Sequence, residues 1–175
     1  MTGLIPEKIN DYRVFPSGGT DLLGTADIQL PKLESMSETI SGAGIAGEYD
    51  SSTLGHFQSM QATLNWRMLT DEIATFLNPD AIHLDCRIAN QEYDKLNNSY
   101  KFIPNRVVIK GHSKTNDLGK VSKGGTYEAS TEIEVTYLKL IRDGKTLIEV
   151  DKLNYKYVVN GKDVMAPIRK ALGMK

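Results

Sequence analysis

The most recognisable candidate binding motif in this chain is glycine-rich, since residues 42–47 read Gly-Ala-Gly-Ile-Ala-Gly. In a βαβ unit, the pattern G-x-G-x-x-G holds the pyrophosphate of a dinucleotide against a helix N-terminus. Here the preceding residues 35–41 are polar, and no helical pattern follows. The sequence therefore favours a flexible glycine-rich interaction loop, with a nucleotide-binding domain as an alternative.

Acidic side chains alternate along two strand-like segments near the C-terminus, at Glu132 and Glu134 and again at Glu149 and Asp151. Paired carboxylates can act as an acid and a base, or can bind a hard metal ion. No nucleophile or histidine at a useful spacing accompanies them. A solvated face is the favoured interpretation, and the wall of a water-filled channel is one form of such a face. No catalytic residue, metal or cofactor is predicted.

Other chemistry-bearing residues are scattered. The three histidines stand singly, so no transition-metal site is predicted, and the lysines of residues 113–127 lack the interleaved aromatic residues of a nucleic-acid surface. A net charge of −1 gives no general attraction to nucleic acid or membrane. The single Cys86 excludes an intrachain disulfide, and we expect neither a leader nor a membrane-spanning segment. We expect one domain over residues 1–175, cytosolic when made.

A long hairpin over residues 131–160 is the element around which the others are predicted to be arranged. Two runs rich in Val, Ile, Tyr and Thr flank Asp143-Gly144, a dipeptide suited to a tight two-residue turn. If Arg142 lies opposite Lys145, alternation gives two faces. The predicted core face carries Ile133, Val135, Tyr137, Ile141, Ile148 and Val150. The predicted opposite face carries Glu132, Glu134, Thr136, Leu138, Leu140, Leu147, Glu149 and Asp151.

Periodicity predicts the remaining elements, and the predicted fold is mainly β with one short packed helix and a short C-terminal helix. Strands are predicted over residues 9–15, 25–30, 60–68, 82–88 and 100–112, with Pro104 at an edge or bulge. A turn is predicted at residues 17–19, and Ala26, Ile28 and Leu30 are expected to face inward. Thr70 is expected to cap a helix that ends at Asn78-Pro79 and buries Ile73, Ala74, Phe76 and Leu77. Residues 113–127 are predicted to form a polar loop, and residues 163–172 a helical turn or two.

Residues 34–55 show no sustained periodicity and are rich in Ser, Gly, Thr and Glu. An irregular segment of that length is uncommon inside a compact domain and is usually functional or docked on a partner. We predict an extended interaction loop with inter-subunit contacts at Ser41, Gly42, Gly44, Ile45, Gly47, Glu48 and Tyr49.

The order of several segments resembles a known family. These are Leu-Pro-Lys-Leu at 30–33, the glycine-rich loop at 42–47, the strand before Arg67, the turn at 143–145 and Asn160-Gly161. Together they resemble the major tail tube proteins of contractile-tailed bacteriophages of the temperate coliphage type, including prophage and bacteriocin-like particles. The resemblance covers nearly the whole chain. One departure is the loop at 113–127, where lysines stand in place of the acids expected from the family.

The resemblance implies a sandwich or barrel-like β subunit that forms hexameric rings, which stack into a hollow tube inside a contractile sheath. It implies contacts with itself, the sheath, tape measure, baseplate hub and tail terminator proteins, passage of DNA without specific binding, and no membrane. The 34–53 segment would reach a neighbouring ring or subunit. We add the hypothesis that Glu132, Glu134, Glu149 and Asp151 face the lumen and repel phosphates. A tube protein of a secretion system is the alternative within this class.

Overall fold

The computed structural model of the chain describes residues 3–16, 25–78 and 80–174. Eleven strands and two helices follow one another in these ranges. The strands are β1 (Leu4–Pro16), β2 (Thr25–Gln29), β3 (Ser35–Ser41), β4 (Glu48–Phe57), β5 (Gln61–Trp66), β6 (Ile82–Asp94), β7 (Ser99–Asp117), β8 (Ala129–Arg142), β9 (Lys145–Asp151), β10 (Lys156–Val159) and β11 (Lys162–Asp163), and the helices are α1 (Asp71–Leu77) and α2 (Ala166–Ala171). The prediction of a mainly β fold with two short helices is confirmed.

The larger sheet is antiparallel and has nine strands, of which seven run in the order β1-β6-β7-β8-β9-β10-β11, while β5 and β2 lie off this path. Strand β8 is its branch point, because the first half of β8 pairs with β5 and the second half pairs with β9, while β7 lies along its other side. Strand β2 pairs with the outer side of β5. One strand therefore connects every part of this sheet.

The hydrophobic core lies on one face of this sheet and is covered in part by α1. The alternating residues Ala62, Leu64 and Trp66 of β5 are at most 1% exposed, as the sequence predicts. They meet Ile73 and Phe76 of α1, and the rings of Trp66 and Phe76 lie 5.4 Å apart. Cys86 is buried in the same cluster, and burial raises the pKa of its thiol to about 12.

A β-bulge in β8 changes which of its side chains face the core. Relative to β7, the register shifts between Val135 and Tyr137, so Thr136 is an extra residue and the alternation along β8 reverses there. A second shift, between Leu140 and Ile141 relative to β9, has its extra residue, Leu147, in β9 and leaves the faces of β8 unchanged. The predicted faces of β8 are therefore wrong beyond Val135: Leu138 pairs with Val150 and is buried, whereas the Tyr137 hydroxyl bonds to Glu149 on the opposite face. On β9, Ile148 and Val150 pack on the core as predicted. Leu140 packs on the core, and Ile141 does not.

The long hairpin also ends earlier than predicted. Residues 152–155 form a turn, and β10 then folds back to pair with β9, so residues 145–160 are two strands rather than one. The carboxylate of Asp151 accepts hydrogen bonds from the backbone N–H groups of Leu153 and Asn154 at 3.1 and 3.0 Å. Local side-chain bonds of this kind favour a turn over a continuing strand.

Several smaller predictions need correction. Strand β7 continues to Asp117, so the first part of the predicted loop at 113–127 belongs to the sheet. Leu30 is 40% exposed rather than inward-facing, and Ala74 and Leu77 of α1 are exposed. Thr70 is the N-cap residue of α1 but makes no side-chain capping bond. The predicted turn at 17–19, the side chain of Ala26 and the helix stop at Pro79 lie outside the described residues.

Pro104 lies in β7 opposite Ala89 of β6, and its carbonyl oxygen accepts a hydrogen bond from the backbone N–H of Asp143 at 2.8 Å. In a β-strand, the N–H and C=O groups of one residue point to the same side. The side on which Pro104 lacks an N–H therefore faces the β8–β9 turn, beyond the end of β8, where none of the described strands needs that donor. Within the described residues, no helix is long and apolar enough to cross a membrane.

Candidate assembly surfaces

Strands β3 and β4 form a separate two-stranded hairpin, which we call the arm, with residues 42–47 at its tip. Residues 34–50 are all exposed, so the segment predicted to be an irregular loop is instead a regular hairpin standing clear of the core. Sequence periodicity missed it because neither face is buried and the usual apolar alternation is absent. The seven residues of β3 span about 23 Å at 3.3 Å per residue.

The predicted inter-subunit residues lie together at the outer end of the arm. Ile40 pairs with Tyr49, and Ser41 pairs with Glu48. The glycines at 42, 44 and 47 have φ angles of 151°, 90° and 116°, in the region that favours glycine. The glycine motif thus forms the turn of a hairpin rather than the start of a helix.

The two faces of the arm differ in chemistry. One face carries Ile40 beside Tyr49, with Glu38 two residues along the same strand. Ile40 is 38% and Tyr49 53% exposed, although apolar side chains of this size are usually buried. The opposite face is polar, and the Thr39 hydroxyl donates a 2.7 Å hydrogen bond to Asp50 there. The arm, residues 35–57, has three acidic residues and no lysine or arginine.

The base of the arm is fixed to the rest of the subunit. The backbone N–H of Gln58 donates to the carbonyl of Glu34 at 2.9 Å. Gly55 lies against the buried Met165, and a Cβ added at Gly55 would approach the Met165 sulfur to 2.0 Å. Because Met165 precedes α2, the C-terminal helix and the arm are held against each other.

The four carboxylates predicted to form one face do share the face of the sheet opposite the core. Each is partly exposed, and lysines lie among them. Lys152 lies 3.8 Å from Glu134, and Lys156 lies 3.0 Å from Glu149. This face therefore has mixed charge, where the sequence pattern predicted an acidic one.

Tyr137 and Glu149 are coupled on this mixed face. The Tyr137 hydroxyl donates a 2.9 Å hydrogen bond to Glu149. Burial, together with the neighbouring carboxylate, raises the pKa of Tyr137 to about 12. Burial alone would raise the pKa of Glu149, but the hydrogen bonds from Lys156 and Tyr137 outweigh it and keep that pKa below its ordinary value.

The predicted turn residues Asp143 and Gly144 connect β8 to β9 with φ angles of 48° and 75°. Positive φ at both central positions is the geometry of the type I′ hairpin turn, which matches the twist of the adjoining strands. The turn joins Arg142 to Lys145 as predicted, so only the bulges beyond it alter the register.

A groove on the same sheet face, away from the carboxylates, was not predicted. Arg13 of β1, Arg87 of β6 and Arg106 of β7 lie directly opposite one another across three adjacent strands. Together with Phe15, Phe102 and Pro104 they line an open cavity of about 670 Å³, which we call the arginine groove. Sequence reasoning missed it because single arginines on three strands show no pattern until the register is known.

A single carboxylate joins two of these arginines. Asp85 accepts hydrogen bonds from Arg106 at 2.6 and 2.9 Å and from Arg87 at 3.2 Å. Burial by itself raises the pKa of Asp85, but the hydrogen bonds and charge of Arg106 and Arg87 hold it below its usual value. The Arg87 guanidinium also lies over the Phe15 ring, 4.6 Å from its centroid. Asp11 also lines the groove, so three arginines lie against two carboxylates and the groove carries one excess positive charge.

Strand β1 is an edge of the nine-stranded sheet and carries further exposed apolar residues. Ile5 and Ile9 are 47% and 59% exposed, and the register with β6 shifts between Pro6 and Lys8 and again between Ile9 and Asp11. Bulges and prolines at an edge limit unwanted strand pairing. Among the described residues, no group of three or more His, Cys, Asp or Glu side chains is placed to hold a metal ion.

An exposed arm, an edge strand and a charged groove give this mainly β subunit several surfaces suited to association, as in structural proteins that assemble. The chain matches the family described as phage tail tube protein FII over residues 6–173, and it belongs to that family. It is 26% identical over 176 residues to the tail tube protein of Escherichia phage P2, covering 97% of this chain and 99% of that protein. The chain is therefore a structural tail tube protein, a virion component that assembles with itself and other tail proteins.

Proposed function

We propose that this protein forms hexameric rings that stack into the inner tube of a contractile tail. The observation that carries the proposal is the family match over residues 6–173, which includes the arm, the sheet and α2. The match to the phage P2 tail tube protein over 99% of its length supports a role in the same kind of particle. A tube inside a sheath needs only a closed wall and an open central channel.

The geometry suits assembly by unlike surfaces. The arm projects from one part of the subunit, while the edge strand β1 and the arginine groove lie elsewhere on it. Contacts between different surfaces of identical subunits generate a ring when rotation closes them and a filament when they repeat along an axis. Ring closure and axial stacking each require one such contact.

The bore would be the path of the genome or of ions. Glu132, Glu134, Glu149 and Asp151 are the candidate lumen-facing residues, because they lie together on β8 and β9, in a part of the face opposite the core that is separate from the arginine groove on β1, β6 and β7. Their lysine partners reduce the net charge, so weak and balanced electrostatics would let DNA slide without being held. No catalytic step is needed for this task, and the proposed role is not enzymatic.

The finer partners follow from the same proposal. The outer surface of the tube would contact the sheath, the bore would hold the tape measure protein, and the two ends would meet the baseplate hub and the tail terminator. Assembly would take place in the cytoplasm of the host bacterium. The location of Gly42 and Gly47 in a hairpin tip argues against the alternative of a nucleotide-binding domain.

Negative-stain electron microscopy of the purified protein tests the proposal. At near-neutral pH and moderate salt, we expect hollow rings or tubes of uniform width, with six-fold symmetry in end views. Small dispersed particles that persist with concentration, time and added tail-initiation proteins would contradict it. If the protein were found inside the sheath of a secretion-system particle, the alternative role, as a tube protein of a secretion system, would be supported instead.

A further inference from the structure

We propose that the arginine groove is the receiving site for the arm of another copy of this chain. The inference rests on the proposed function, because it names the surface that an arm would contact in a stacked tube. It starts from the arginines: like charges directly opposite on adjacent strands destabilise a sheet, yet three lie in one row here. Such a row is most favourable when anions lie against it.

The groove retains unused binding capacity. Asp85 supplies one negative charge to two guanidinium groups, and each guanidinium has five N–H donors. The Arg87 side chain is 61% and the Arg106 side chain 49% exposed, whereas Asp85 is 13% exposed. A further carboxylate could therefore bind to these arginines from the solvent side. A bidentate geometry would make that contact both strong and directional.

Apolar surface lies beside the charges and limits what can fill the groove. Phe102 is 57% exposed, and Phe15 and Pro104 line the same cavity. A partner that offered phosphate alone would leave these rings in water. The groove thus fits a segment with exposed apolar side chains and nearby carboxylates.

The arm has this composition. Ile40 and Tyr49 project from one face beside Glu38, and the arm contains no lysine or arginine that the groove would repel. The face is exposed in its own subunit and needs cover. Docking would bury Ile40 and Tyr49 near Phe102 and Pro104, and would place Glu38 within reach of the arginine row.

Photochemical crosslinking tests this contact directly. Tyr49 is replaced by p-benzoylphenylalanine in unlabelled protein, which is co-assembled with an excess of wild-type protein labelled with nitrogen-15. Tubes are isolated, irradiated and digested. We expect crosslinks from the unlabelled arm to labelled peptides that contain residues 11–16, 87–89 or 102–106. Crosslinks mainly to other segments, or none, from intact tubes would overturn the inference.

A charge exchange provides the second test. We expect Arg87→Glu and Glu38→Arg each to slow tube growth by about tenfold or more, and the double variant to recover much of the loss, since opposite charges are restored. Glu48→Arg, which makes the same charge change on the opposite, polar face of the arm, is the matched control: it should slow growth less than Glu38→Arg and should not be rescued by Arg87→Glu. Circular dichroism confirms that each variant is folded.

The outcomes separate the two proposals. If the wild-type protein forms no tube under any condition, the proposed function fails. If tubes form but the double variant shows no recovery, only the docking contact is wrong. If Arg87→Glu leaves growth unchanged and lowers the retention of DNA, the groove binds phosphate and the docking inference is overturned.

Discussion

Glu92 is a charged residue held in the interior, with 2% of its surface exposed. It pairs with Arg142, whose side chain is 37% exposed, across the end of the sheet where β8 enters its turn. A buried carboxylate loses its hydration, and the guanidinium compensates for that loss. The pair therefore fixes β6 to the end of β8. The two residues differ in burial, because Glu92 is shielded from water whereas Arg142 is partly exposed.

This asymmetry gives a prediction at the scale of single residues. Arg142→Ala leaves the buried Glu92 without its partner and should lower the free energy of unfolding by about 2–3 kcal/mol, which is less than for a fully buried pair because water reaches Arg142. The double variant Arg142→Met/Glu92→Leu removes both charges and should recover most of that loss. Urea denaturation followed by circular dichroism measures both.

Lys32→Ala is the matched control, because it breaks an ion pair with Glu34 in which the two side chains are 83% and 46% exposed. That change should cost less than about 0.5 kcal/mol. Equal losses for Lys32→Ala and Arg142→Ala would show that burial of Glu92 does not matter.

At the scale of elements, the bulge in β8 depends on a close approach between backbones. A Cβ placed at Gly111 would lie 2.0 Å from the carbonyl oxygen of Glu134, at the point where the β7–β8 register shifts. The oxygen belongs to the backbone, so it cannot move aside as a flexible side chain would. Gly111 therefore permits the bulge that turns Leu138 towards the core.

The corresponding prediction is that Gly111→Ala is strongly destabilising. The added methyl group must push β7 and β8 apart, and we expect the free energy of unfolding to fall by about 2–3 kcal/mol. Gly124→Ala is the control: its φ of 78° disfavours alanine, but no atom lies within 4 Å of the added carbon, so a loss of about 1 kcal/mol is expected. A Gly111→Ala protein as stable as wild type would refute the close packing of these strands.

The bulges also show where prediction from the sequence stops. Strand β5 was predictable because Ala62, Leu64 and Trp66 alternate without interruption, and the turn at Asp143-Gly144 because that dipeptide tolerates positive φ. No sequence pattern marks Thr136 as an inserted residue. Simple alternation therefore predicts Tyr137 on the core face and Leu138 on the opposite face, which is the reverse of the structure. The arm was missed for a related reason, since a hairpin with two solvated faces lacks hydrophobic alternation.

At the scale of the whole molecule, the family could be inferred from the order of short motifs, whereas the arginine groove could not. Its arginines belong to strands β1, β6 and β7, and only the register brings Arg13, Arg87 and Arg106 into one row. The finished subunit has unlike surfaces: an arm that projects and a groove that is open. If the arm of one copy docks in the groove of the next, as we propose, growth has a direction, because each added copy uses one surface and leaves the other free.

This polarity gives the last prediction, in which residues 38–51 are replaced by Asn-Gly to make an armless subunit that lacks Glu38, Ile40 and Tyr49. Residues 38–50 are exposed and Ser51 is half-buried, so their loss should leave the melting temperature within about 2 °C of wild type, as is usual for changes at exposed loop tips. The armless protein should form no tubes by itself. Mixed with wild type, it can still receive an arm through its groove but cannot offer one, so it should shorten tubes in proportion to its share of the mixture. Electron microscopy of tube lengths across a mixing series measures this effect, and normal tubes from armless protein alone would show that the arm has no part in stacking.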